Sequence, residues 1–132
     1  MIETKKGYFV THWSPFDEGP AGYYFFAKQH ELCESFQEEE MFEGLKWFSR
    51  GHWVAREKPD GDVEFIDIRF GEVRDHEAGK LLPMFRWHLS YDDQGGFEAE
   101  RPPRRVKMGD TLSALWKRLL GNRREWEGLE AF

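Results

Sequence analysis

Two runs of apolar, β-branched and aromatic residues flank Lys58-Pro59-Asp60-Gly61-Asp62, a segment made of turn formers. The pattern predicts a β-hairpin over residues 52–57 and 63–70. Strand side chains alternate with period two, so Ile66, Ile68 and Phe70 are expected on one face and Phe65, Asp67 and Arg69 on the other. Upstream, residues 31–50 do not give a single helical stripe. At about 100° per residue, Leu32 and Phe36 fall nearly opposite Met41, Leu45 and Phe48, which breaks the segment near Gln37. The second piece, Glu39 to Arg50, places Met41, Phe42, Leu45 and Phe48 on a common face. Glu38, Glu39 and Glu40 favour its start through the helix dipole, and Gly51 closes it.

The remaining pattern is shorter in period. Residues 2–4 read as a strand stub, Lys5-Lys6-Gly7 as a turn and residues 8–13 as the returning strand. Residues 14–22 form a loop dense in turn formers, with Ser14 and Asp17 as turn caps, and residues 23–27 form a short apolar run, either strand or packed loop. Residues 72–82 read as a loop. Phe85, Trp87, Leu89 and Tyr91 then alternate against Met84, Arg86, His88 and Ser90, a half-exposed antiparallel strand that Asp92 to Gly96 ends as a turn. Residues 97–108 are polar and Pro-interrupted, expected as extended chain. A last helix opens at Gly109-Asp110-Thr111, carries Leu112, Leu115, Trp116 and Leu119 at helical spacing, and closes at Gly121. The expected fold is α+β: one twisted, mainly antiparallel sheet of about five strands, with two main helices on one face. Residues 1–121 form one domain in this reading, and residues 122–132 a weakly ordered tail.

Composition sharpens this picture at three points. With aromatic residues at 17% of the chain, large rings must supply much of the core. A single cysteine, Cys33, excludes an internal disulfide. Charge is distributed unevenly behind a net value of -6. Residues 1–100 carry 11 Lys and Arg against 21 Asp and Glu, residues 101–124 carry 8 against Asp110 alone, a local net of +7, and residues 125–132 add Glu125, Glu127 and Glu130. A basic segment on an acidic body can serve an anionic partner. Trp116, Lys117, Arg118, Arg123 and Arg124 are therefore the candidate partner or membrane surface. The competing expectation is that Leu112, Leu115, Trp116 and Leu119 dock on the sheet. The acidic chain has no recognised nucleic-acid motif, so nucleic acid is set aside as a partner.

Candidate chemistry is sparse. Histidines stand at positions 12, 30, 52, 76 and 88, with no pair at a spacing of three or four, so no metal pattern is present. The adjacent Asp75, His76 and Glu77 would point opposite ways in extended chain. No nucleophile elbow, Walker loop or dinucleotide fingerprint occurs. Asp67 and Arg69 remain, with His52 (beside Val54 and Arg56) placed as a cross-strand neighbour and His88 on the later strand. A catalytic reading makes Asp67 a general base or an anion-site organiser, beside Arg69 and His52 or His88, in a cleft of a small stand-alone hydrolase. A structural reading makes it part of a charge network that pins register, and this takes precedence because an unpaired buried carboxylate is costly.

The stretch Leu45-Lys46-Trp47-Phe48-Ser49-Arg50-Gly51, the aromatic strand after it, and Phe65-Ile66-Asp67-Ile68-Arg69-Phe70-Gly71 resemble the soluble C-terminal region of the membrane-bound metal-dependent hydrolase family, which includes LexA-binding inner-membrane proteins. Gly7-Tyr8-Phe9-Val10 leading to Ser14-Pro15-Phe16-Asp17, and Phe85-Arg86-Trp87-His88-Leu89, extend the likeness over roughly residues 2 to 91. The resemblance implies that membrane spans and His-rich metal ligands belong to an N-terminal part upstream of Met1. This piece would then be a cytoplasmic accessory or partner-binding domain of an inner-membrane protein, with no metal or other cofactor of its own. A free regulatory module that binds a protein is the remaining alternative.

Overall fold

The computed structural model describes residues 1–11, 14–18, 23–75, 80–103 and 108–121. In chain order the elements are β1 (Ile2–Glu3), β2 (Gly7–Val10), β3 (Tyr24–Ala27), a 3₁₀ segment (His30–Phe36), α1 (Glu40–Ser49), β4 (Trp53–Glu57), β5 (Val63–Asp75), β6 (Lys80–Tyr91), β7 (Phe97–Glu100) and α2 (Met108–Leu119). The class is α+β, as expected. The strands form two antiparallel sheets, β1-β2-β3 and β4-β5-β6-β7, instead of one sheet of about five. The chain divides into two units. One holds residues 27–71 and 83–103, the other residues 1–26, 72–82 and 104–132, so β5 and β6 contribute to both.

In the first unit, two five-residue turns set the register. Lys58 N–H donates to Asp62 O (2.8 Å) and Asp92 N–H to Gly96 O (2.8 Å). Each turn places a glycine with positive φ at its fourth position, Gly61 at 89° and Gly95 at 80°, where a side chain would be strained. The first turn pairs Glu57 with Val63, and hence Ala55 with Phe65 and Trp53 with Asp67. Odd positions of β4 and β5 thus share the face that carries the core. Trp87 and Leu89 of β6 and Phe97 and Ala99 of β7 join them, and Leu32, Cys33, Phe36, Phe42 and Leu45 cover them. The rings interlock: Trp53 stacks on Phe65 (4.9 Å, 17°), and Phe42 stands edge-on to both. His30 stacks on Trp53 at 3.7 Å, with its Nε2 2.9 Å from Trp53 O.

The helical segment breaks at residues 37–39, as its periodicity predicts, and Gly51 follows an Arg50 cap whose own φ is 51°. The buried face of α1 is rotated from the expected one. Phe42, Leu45 and Ser49 are buried, while Met41 and Phe48 are exposed and Trp47 is 82% exposed. Three further differences concern strands. The expected loop over 72–82 is strand up to Asp75 and again from Lys80, and residues 97–100 form the short edge strand β7. Phe70 leaves the face of Ile66 and Ile68 and meets Phe48 (5.9 Å) and Phe85 (4.3 Å) next to Gly71, whose φ is 69°. A shift of strand alternation by one position beside such a glycine is the geometry of a β-bulge.

In the second unit, Gly7 sits where no side chain fits, since a Cβ would lie 2.2 Å from Phe26 O. Tyr8 is fully buried beside it. Ser14 and Asp17 act as turn caps, Ser14 N–H donating to Asp17 Oδ2 (2.9 Å) and Asp17 N–H to Ser14 O (3.0 Å). The Ser14 hydroxyl also donates to Leu119 O, which holds the C-terminal end of α2. Leu112, Leu115, Trp116 and Leu119 of α2 are exposed. The expected tail over 122–132 lies outside the described residues.

Cys33 has no exposed surface, and burial pushes its thiol from the ordinary 9.0 up to about 12 against a weaker opposite pull from Lys46. Native protein at pH 8 should therefore resist iodoacetamide and take one label per chain only after denaturation, read by mass spectrometry. Between pH 9 and 12 the folded thiol keeps a proton that the unfolded thiol loses. Stability contributed by Cys33 is thus full below about pH 9 and falls as pH rises, and Cys33→Ala should flatten that part of the pH profile in urea unfolding.

Candidate functional site

β5 brings two carboxylates into the first unit, on opposite faces of the sheet, each 1% exposed. Asp67 is on the core face. Arg69, two positions on, shares that face and returns to it: Nε donates to Oδ1 (2.9 Å) and Nη2 to Oδ2 (2.6 Å). Arg69 N–H adds a third donor to Oδ1 (3.0 Å). A guanidinium matches a carboxylate in this forked way, and the charge on each strengthens both bonds. Hydrogen bonding to Asp67 raises the Arg69 pKa still further, so the guanidinium stays charged. Its Nη2 also donates to Phe48 O (2.6 Å) in the last turn of α1, where carbonyls lack helical partners and the dipole favours a cation. The rings of Phe48 and Phe70 lie 5.4 and 5.0 Å from its central carbon.

Glu64 is on the opposite face. Arg56, its cross-strand partner on β4, donates to Oε2, and from β6 Arg86 Nη1 and His88 Nε2 each lie 3.2 Å from Oε1. One buried acid therefore ties three strands together through two arginines and an imidazole. The sequence holds the signal for this network in an acid at the second position of an apolar run, Val63-Glu64-Phe65-Ile66. Register was the missing piece, because the 58–62 turn pairs Arg56 with Glu64.

The same register separates the expected catalytic group. Asp67 faces Trp53, so Val54 and Arg56 fall on the other face, opposite Ile66 and Glu64. His52 O accepts from Ile68 N–H (3.2 Å), which places it in step with that other face too. His88 serves Glu64. Asp67 and Arg69 are thus brought together, and neither His52 nor His88 joins them. Among the described residues no group of three or more His, Cys, Asp and Glu is placed to hold a metal ion. Of the adjacent Asp75, His76 and Glu77, the last two lie outside the described residues.

Of the surface candidates, Trp116 and Lys117 are exposed on α2, residue 118 lies on the same helix, and Arg123 and Arg124 lie outside the described residues. No helix among the described residues is long and apolar enough to cross a membrane. Fold and site together define a small α+β domain in which two buried carboxylates are neutralised by arginines. Compared with family models, curated proteins and solved structures, the chain matches none.

Both carboxylates should be stability elements of unequal weight. Asp67→Ala leaves Arg69 able to rehydrate from its partly exposed side and should cost about 1–3 kcal/mol. Glu64→Ala leaves two arginines facing each other, Arg86 mostly buried, and should cost about 3–5 kcal/mol. Urea unfolding of both variants checks the order, and an unchanged melting temperature for Asp67→Ala rules out its structural role.

Proposed function

We propose that this is a partner-binding accessory domain without catalytic chemistry of its own. As the resemblance implies, we place it as the soluble C-terminal part of a membrane-bound metal-dependent hydrolase. The observation that carries the first statement is the closed state of Asp67. A general base must present a free lone pair to a substrate proton, within hydrogen-bond reach. Asp67 has both oxygens engaged by Arg69 and almost no exposed surface. The exposed apolar residues of α1, Met41, Trp47 and Phe48, fit a surface that meets another molecule.

Two measurements test the two halves. Purified protein, assayed against p-nitrophenyl acetate and p-nitrophenyl phosphate with Mg²⁺, Mn²⁺ or Zn²⁺, should show no turnover above buffer. Turnover that disappears in Asp67→Asn would overturn the accessory reading. A blot of source cells with an antibody to this domain should find a product well above 15.8 kDa that stays in the membrane pellet after a salt wash. A soluble product of about that mass would remove the membrane-bound parent.

A further inference from the structure

We propose that α2 is an interfacial helix that lies on an anionic lipid surface. This names a partner for the binding role proposed above. Leu112, Leu115, Trp116, Leu119 and Leu120 are all exposed, Trp116 by 62%. At about 100° per residue they fill one continuous arc of roughly 140°. A helix with so strong an apolar side and so little net hydrophobicity fits a water–lipid boundary better than a protein interior. Its anchorage agrees with this. The Ser14 hydroxyl holds Leu119 O, and Gly121, with a φ of 88°, passes so close to Phe16 that a Cβ would lie 2.5 Å from its carbonyl oxygen. The end of the helix is fixed while the side chains of its apolar arc are exposed.

Charge selects the occupant. Lys117 and position 118, an arginine, fall about 60° beyond the two edges of the arc, one on each side. Cations that border an apolar stripe on both sides can bury their stems along hydrocarbon and leave their charges among headgroups. An indole within the stripe suits the same depth. The surrounding segment, residues 101–124, has a net charge of +7, whereas residues 1–100 have -10. An anionic bilayer would attract the first and repel the second, which confines contact to the α2 region. A second copy of the chain is the other candidate occupant, and oligomeric state tells the two apart.

The test is co-sedimentation of the whole chain with sucrose-loaded vesicles of phosphatidylcholine alone or with 30 mol% phosphatidylglycerol. Binding should be at least roughly tenfold stronger with the anionic lipid and weaken with salt, since each cation near the surface contributes about fivefold. Lys117→Glu with Arg118→Glu should abolish the preference. Leu115→Glu with Leu119→Glu should abolish binding while the melting temperature stays unchanged, because these side chains are exposed. A lowered melting temperature in that variant would show that the stripe packs on protein and would overturn the proposal. So would equal binding to both vesicles, no binding, or a dimer in sedimentation equilibrium that the leucine variant dissociates. Vesicle binding by this chain does not depend on any upstream segment, so its failure is distinguishable from failure of the membrane-bound parent.

Discussion

A carboxylate removed from water needs donors to replace that water, and β5 carries two such groups three residues apart. Three is an odd number, so they fall on opposite faces and cannot share one cation. Each therefore recruits its own. Arg69 reaches back along its own strand to Asp67 and then on to Phe48 O, so one guanidinium joins the sheet to the end of α1. Arg56 and Arg86 approach Glu64 from the strands on either side. The first network fixes the helix on the sheet and the second fixes the order of strands. A one-residue slip of β4 against β5 would carry Arg56 to the face opposite Glu64, so this pair defines a register that apolar packing would hold less tightly.

The aromatic layer depends on that register. Trp53 meets Phe65, and Phe42 meets both edge-on, only when Ala55 stands opposite Phe65. His30 then closes over Trp53, and Ala55 N–H donates to Lys28 O (2.9 Å), so the outer edge of β4 is bonded by the chain that precedes the 3₁₀ segment. On the inner strand β6, the Tyr91 hydroxyl donates to Ser35 O (2.6 Å), and desolvation together with Glu39 raises its pKa. Strands β4 and β6 are thus each hydrogen-bonded to the stretch between Lys28 and Ser35.

Local signals were legible in the sequence where one residue type decides the conformation. The two turns with a fourth-position glycine, the break near Gln37 and the alternation of β6 could all be read from the chain. What could not be read needed partners. The strand content of residues 72–75 and 80–82 depends on a neighbour across the sheet, since Gly71 and Pro83 interrupt any period. Four residues ending at Glu100 look like polar coil until Phe97 and Ala99 are seen against Phe36 and Leu89. The pairing of Glu64 with Arg56 required the register, and the shift at Phe70 required the bulge. The site followed the same rule. Asp67 and Arg69 were recognisable as an acid and a base on one face, whereas the sides on which His52 and His88 stand were not.

Periodicity reports that a stripe exists and is silent about what covers it, as the two α-helices demonstrate. On α1 the expected stripe contained Phe42 and Leu45, which are buried, but also Met41 and Phe48, which are not. The buried arc is centred near Ser49, a residue whose hydroxyl donates to Lys46 O (2.9 Å) and so can enter the core without an unpaired group. Serine satisfied in this way counts as apolar for packing and polar for pattern, which explains the rotation. On α2 the stripe was read from its spacing alone. Four large apolar side chains of this twelve-residue helix, Leu112, Leu115, Trp116 and Leu119, are exposed. In water such an arrangement leaves the hydrophobic contribution of that face unrealised, so the helix is stabilised by whatever second surface it meets. For the lipid surface proposed above the bordering cations are the argument, because an acidic protein patch would engage one flank while a bilayer would engage both.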